Sequence, residues 1–86
     1  MRGRAIVGWN LRRLRVAAAL SQERLAFDAG MDRSYVGGLE RGEENPTIDL
    51  LERLAEVLRC KLVDLVCEPD HDAEPPKVLR PGRRAK

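Results

Sequence analysis

The apolar positions of this chain recur at helical spacing in five stretches, separated by polar punctuation. From about Ile6 to Ala19, one face carries Ile6, Trp9 or Asn10, Leu11, Leu14 and Ala17 or Ala18, with Arg12, Arg13 and Arg15 on its flanks. Residues 1–5, with Gly3 and two arginines, read as a loose arm before it. Ser21 can cap a second, short helix over Gln22–Ala29, whose inner face is Leu25, Ala26 and Ala29. Gly30 follows at once and suits a left-handed helix end, because it has no Cβ to clash. Asp32 can accept hydrogen bonds from the free amides of a third helix, Arg33–Arg41, which Val36 and Leu39 anchor and Gly42 closes. After the loop E-E-N-P at 43–46, Thr47 caps a fourth helix. Its period is the strongest in the chain: Ile48, Leu51, Leu54, Ala55 and Leu58, with Leu50 and Val57 alongside and charges on the other face. Leu62–Val66 reads as a fifth helix, although so short an apolar run also fits a strand.

Beyond Cys67 the pattern stops. Residues 68–86 hold four prolines and little that is apolar. Such a segment cannot bury enough surface to offset its ordering entropy, so it reads as a disordered tail. The expected architecture is all-α: a compact five-helix bundle at 1–67 with a helix-turn-helix, followed by a disordered C-terminal tail at 68–86.

Composition narrows the function. The 86 residues include three aromatics, Trp9, Phe27 and Tyr35, so leucine, valine and alanine must fill the core. No apolar run spans a bilayer, and arginines stand where a secretory leader would be apolar. A cytoplasmic protein is expected, with no membrane partner. Cys60 and Cys67 are seven apart, without a C-x-x-C or a histidine pair, a spacing that does not suit zinc. On one helix they would lie about 10 Å apart by helical rise, too far for a disulfide. They read as small hydrophobes in a reducing compartment. The lone His71, in the polar tail, reads as solvated. No nucleophile–base pair, metal-ligand cluster or phosphate loop is evident, so no enzyme, catalytic residue, metal or cofactor is expected.

The net charge of +2 is less informative than its distribution. Residues 1–24 carry six arginines against Glu23, whereas residues 40–56 carry six acidic residues against Arg41 and Arg53. This polarity fits a basic face directed at nucleic acid, and equally an ordinary solvated surface.

The stretch SQERLAFDAGMDRSYVGGLE (21–40) is the centre of the reading. A helix, a glycine-containing turn and a second helix can project the second helix outward, and the DNA major groove is wide enough to admit it. Its outward face would carry Arg33, Ser34, Gly37 and Gly38, with Tyr35, Val36 and Leu39 inward or flanking. The two glycines each cost roughly 1 kcal/mol of helix stability relative to alanine. They would leave the reading face bare.

Five pieces in order, NLRRLR (10–15), LSQERLA (20–26), AGMDRSYVGGLERG (29–42), NPTIDLLERLAEVL (45–58) and LVDL (62–65), resemble the phage-repressor-type (Cro/XRE) helix-turn-helix DNA-binding domains. The resemblance runs from about Gly8 to Val66. It implies a transcriptional regulator, repressor or controller, that binds double-stranded DNA sequence-specifically; a homodimer is expected because one small module makes few contacts and two-fold operators place half-sites about 34 Å apart. It places Ser21 and Gln22 at the opening of helix 2, with Gln22 on a phosphate, and Arg33, Ser34 and Gly38 among the base-reading positions, with Gly37 beside them. Tyr35 and Arg41 match sugar-phosphate contacts, and Arg15 and Glu40 match an internal salt bridge between helices 1 and 3. Where the family carries polar side chains, positions 37 and 38 are glycine, so Arg33 is expected to be the main direct reader. DRSYVGGLER also resembles the subset that controls restriction-modification genes.

Val63, Val66 and Cys67 are candidates for the dimer surface. The basic segments at 2–4 and 77–86 are candidates for phosphate contact, with a flexible end the simpler reading. Two other functions fit the same fold: an antitoxin that engages its toxin through the tail, and a protein-interaction module without DNA binding. No small-molecule ligand is indicated.

Overall fold

The computed structural model describes residues 2–69. Five helices follow in order: α1 (Gly3–Ala17), α2 (Gln22–Ala29), α3 (Arg33–Glu40), α4 (Ile48–Leu58) and α5 (Leu62–Val66). No strand occurs among the described residues. The tail read as disordered falls almost wholly on residues outside the described ones.

Three helix starts follow from single side chains. Ser21 Oγ accepts the Arg24 N–H at 2.9 Å, Asp32 accepts the Ser34 N–H at 3.0 Å, and Thr47 Oγ1 accepts the Leu50 N–H at 3.1 Å. Each satisfies an amide that the first turn leaves without a partner. Between α2 and α3, Gly30 takes φ +70°, and the Met31 N–H reaches back to Ala26 O at 2.9 Å. This closure satisfies the last carbonyls of α2 and turns the chain in two residues.

Both ends of α1 differ from the sequence reading. The expected loose arm is helical from Gly3, since the Ile6 N–H already donates to Arg2 O at 2.9 Å. The end of α3 lies against this first turn. A Cβ at Gly42, where φ is +76°, would sit 3.4 Å from Ala5 Cα. At the other end, α1 stops at Ala17 instead of Ala19, because Ala19 is left-handed with φ +60°. Arg59 likewise ends α4 in the left-handed region, with φ +56°. Neither residue has glycine's freedom there, so the local sequence does not announce these turns.

The short α5 is a helix because Asp64 accepts the Lys61 N–H at 2.8 Å across its first turn. Cys60 and Cys67 therefore flank α5 and do not share one helix, and both are free thiols. Burial, with the Asp64 charge second, pushes the Cys60 thiol pKa up.

The core is aliphatic. Leu11, Leu25, Val36, Leu39, Leu54 and Leu65 are all at most 1 % exposed. Burying each such side chain is worth about 1.5–3 kcal/mol. Packing puts α3 between α1 and α2, α5 on α1, and α4 on α2 and α5. Ile48, expected on the inner face of α4, is 58 % exposed. It is the first residue of that helix, and the buried stripe starts one turn later at Leu51. Of the two alternatives in α1, Asn10 is buried and Trp9 is half-buried. The Asn10 Nδ2 donates to Leu65 O at 3.0 Å and Cys67 O at 2.7 Å, tying the end of α5 to α1. No described helix is long and apolar enough to cross a membrane.

Candidate nucleic-acid interface

The orientation of α3 is set by its inner edge. Val36 and Leu39 lie in the core. On the neighbouring edge, Glu40 accepts from Arg15 Nε at 2.6 Å, from Arg15 Nη2 at 3.1 Å and from Gln22 Nε2 at 2.9 Å. One carboxylate thus links α1, α2 and α3. The side chains of Arg15 and Glu40 are only 11 % and 4 % exposed. The fork geometry and the added amide satisfy a charge that would otherwise be costly to bury. Arg15 Nη1 also donates to Leu20 O at 2.8 Å, closing the turn into α2. The expected Arg15–Glu40 bridge is therefore present.

The crossing of α1 and α3 is equally demanding. A Cβ at Gly8 would lie 2.6 Å from Leu39 O and 2.7 Å from Glu40 O. Only glycine lets the two backbones approach this closely. Gly8 was legible as a mid-helix glycine, which usually has a packing reason.

With that edge fixed, the opposite edge of α3 faces outward. Residues 33, 34, 37, 38 and 41 form one stripe at steps of three and four. Arg33 and Ser34 are exposed in the first turn. The Ser34 hydroxyl donates to the Asp32 carboxylate, so it is committed as a donor within the cap. Together with the Ser34 N–H this bond holds the Asp32 pKa below its ordinary value. Tyr35 is half-buried and packs against the core. Arg41 caps the C-terminal end of α3, largely exposed, with its Nε on Glu43 Oε2 at 3.1 Å. That carboxylate keeps the guanidinium more basic than usual.

Gly37 and Gly38 correct the sequence reading. They are buried, not bare. A Cβ at Gly37 would stand 3.1 Å from Arg41 Nη1 and 3.9 Å from Gln22 Oε1. A Cβ at Gly38 would stand 2.9 Å from both Cγ and Oε2 of Glu44. The space vacated by the two missing side chains is taken by Arg41 and Glu44. Gln22, Gly37 and Arg41 thus converge, while Arg33 and Ser34 lie one turn earlier on the same stripe. Ser21 stays at the α2 cap, its oxygen occupied by the Arg24 N–H. Glu44 was not among the expected site residues. The motif E-E-N-P marked a loop, but nothing local says that this loop folds back onto α3.

Among the described residues, two helices joined at Gly30, with the second held by its inner edge and exposing Arg33, Ser34 and Arg41 on its outer edge, define a helix-turn-helix domain. A helix-turn-helix family model matches residues 11–65. An HTH-type transcriptional regulator of Sinorhizobium fredii, y4dJ, is 40 % identical over 67 residues, covering 78 % of this chain and 87 % of its own. Control protein C.BamHI of Bacillus amyloliquefaciens is 33 % identical over 64 residues, covering 73 % of this chain and 79 % of its own. The crystal structure of the restriction-modification controller protein C.AhdI from Aeromonas hydrophila superposes with a TM-score of 0.70 at 47 % identity, covering 72 % of this chain and 94 % of that one. The chain belongs to the phage-repressor-type (Cro/XRE) helix-turn-helix family of DNA-binding transcriptional regulators.

Proposed function

We propose that this protein binds double-stranded DNA sequence-specifically as a homodimer and controls transcription, in the manner of a restriction-modification controller. The observation that carries the reading is the two-sided character of α3. Its inner edge is pinned by Val36, Leu39 and the Arg15–Glu40–Gln22 node, and its outer edge presents Arg33, Ser34 and Arg41. A helix with its side chains is about 10–12 Å across, which fits the roughly 12 Å width of the major groove.

Arg33 is the leading base contact, suited to bidentate pairing with guanine. Ser34 accepts, since its proton is turned toward Asp32. Arg41, Tyr35 and the amide end of α2 at Ser21 and Gln22 face the sugar-phosphate backbone. The Gln22 side chain is held by Glu40, so its backbone amide and remaining donor capacity are what it offers a phosphate. Gly37 and Gly38 act by admitting Arg41 and Glu44, so polar side chains still occupy that edge.

The dimer is supported by exposed apolar residues on α5 and at the start of α4. Val63 and Val66 are 55 % and 42 % exposed, and Ile48 is also open. A two-fold pair of modules reads half-sites about 34 Å apart. Similarity to C.BamHI and C.AhdI supports the controller role, and a cytoplasmic, nucleoid-associated location is consistent with it.

Selection of bound sequences from random duplex DNA tests the reading. An enriched palindrome with half-sites one helical turn apart is expected, and Arg33→Ala should weaken its binding by about 1–3 kcal/mol. Failure to enrich any sequence, or a monomer on DNA in sedimentation, overturns it.

A further inference from the structure

We infer that Glu44 is a specificity-determining residue of the DNA-reading surface, accepting a hydrogen bond from the exocyclic amine of a cytosine. The inference rests on α3 being the major-groove helix.

The position of Glu44 is built into the fold. Gly42 turns the chain with φ +76°, and the Glu43 N–H then donates to Gly38 O at 2.9 Å. This bond returns the loop to the outer edge of α3. It sets Glu44 Cγ and Oε2 where a residue 38 side chain would begin. Any larger residue at 38 would meet the Glu44 carboxylate at less than ordinary contact distance. The glycine and the glutamate are therefore one device: α3 gives up a side chain, and the loop supplies one from six residues later.

A carboxylate differs in chemistry from the polar side chain it replaces. It only accepts hydrogen bonds. In the major groove, guanine presents two acceptors and thymine presents an acceptor and a methyl group. Adenine pairs its amine with an adjacent acceptor, which suits an amide side chain. Cytosine alone presents an amine without a neighbouring acceptor on its own edge, and glutamate is suited to it. Arg41, already paired with Glu43 at 3.1 Å, feels the Glu44 charge only as a weaker, longer-range attraction, so the carboxylate approaches the phosphates largely uncompensated. An anion here lowers affinity for DNA in general and is favourable only where its base partner is correct.

Three proteins answer the question: wild type, Glu44→Gln and Gly38→Ala. The first variant keeps size but adds donors, and the second keeps the carboxylate but pushes it from its seat. Each is taken through the same selection from random duplex DNA, followed by titration against the selected site with each base replaced in turn. The expected result is one cytosine per half-site that the wild type prefers about tenfold. Both variants should reduce that preference below about twofold while leaving the position read by Arg33 unchanged. Glu44→Gln should also bind unrelated DNA several-fold more tightly. If wild type selects a site and Glu44→Gln keeps every base preference, the role of Glu44 is overturned and the DNA-binding reading stands. If wild type selects no site, both are overturned. Circular dichroism of each variant confirms that the fold is retained.

Discussion

The two sides of this small bundle handle their interfaces in opposite ways. Where α1 meets α3, the backbones nearly touch at Gly8, and a charged pair is buried with its hydrogen bonds satisfied. Where α4 and α5 face away from the core, Ile48, Val63 and Val66 stand in the open. The first side leaves α3 a single orientation, and the proposed DNA-reading role needs that rigidity, since misplacing the helix would misalign every base contact. The second side contributes little to the isolated fold and suits a surface that a second copy covers.

The sharpest way to break this contrast is Glu40→Ala. It leaves Arg15 buried without its partner and Gln22 without its acceptor. A loss of about 3–5 kcal/mol in chemical denaturation is expected, and a loss within the range of an exposed pair would show that the node is peripheral. Next comes Gly8→Ala. The added methyl meets two backbone carbonyls that cannot rotate away, so a cost of about 1–3 kcal/mol is expected despite alanine's better helix propensity. On α5, paired Val63→Lys and Val66→Lys changes should leave monomer stability within about 0.5 kcal/mol. The same changes should abolish dimers in sedimentation, and a dimer that survives them places the subunit contact elsewhere.

The smallest effect concerns the start of α3. The hydrogen bonds from Ser34 lower the Asp32 pKa in the folded protein. Its cap is therefore in place above the ordinary value of 3.8 and is lost as pH falls through the depressed folded value. Protection of the Ser34 amide, measured against its intrinsic exchange rate at each pH, should fall only on that acid side. Loss of protection near neutral pH would mean that another group holds the turn.

Much of this was legible in the chain. The α2–turn–α3 unit follows from Gly30, Asp32 and the apolar steps that flank them, all within a few residues of one another. Thr47 and the period of α4 were equally plain. Ile48 was misplaced because periodicity says which residues share a face, not where along the helix that face leaves the core. Asn10 was ambiguous with Trp9, because its value lies in carbonyls 55 and 57 residues away. Gly37 and Gly38 were read as an empty surface for the same kind of reason. The side chains that cover them come from the end of α3 and the loop beyond it.

By itself, then, the sequence determined the four longer helical segments, the helix starts at Ser21, Asp32 and Thr47, and the turn that sets α3 apart. These depend on backbone sterics, short-range hydrogen bonds and apolar spacing, which act over one or two turns. Tertiary structure decided that Gln22 joins the Arg15–Glu40 pair, why α1 needs a glycine at position 8, and what fills the outer edge of α3 at 37 and 38. Those depend on the approach of segments far apart in the chain, where the distance between two backbones decides whether a missing side chain is a gap or a seat.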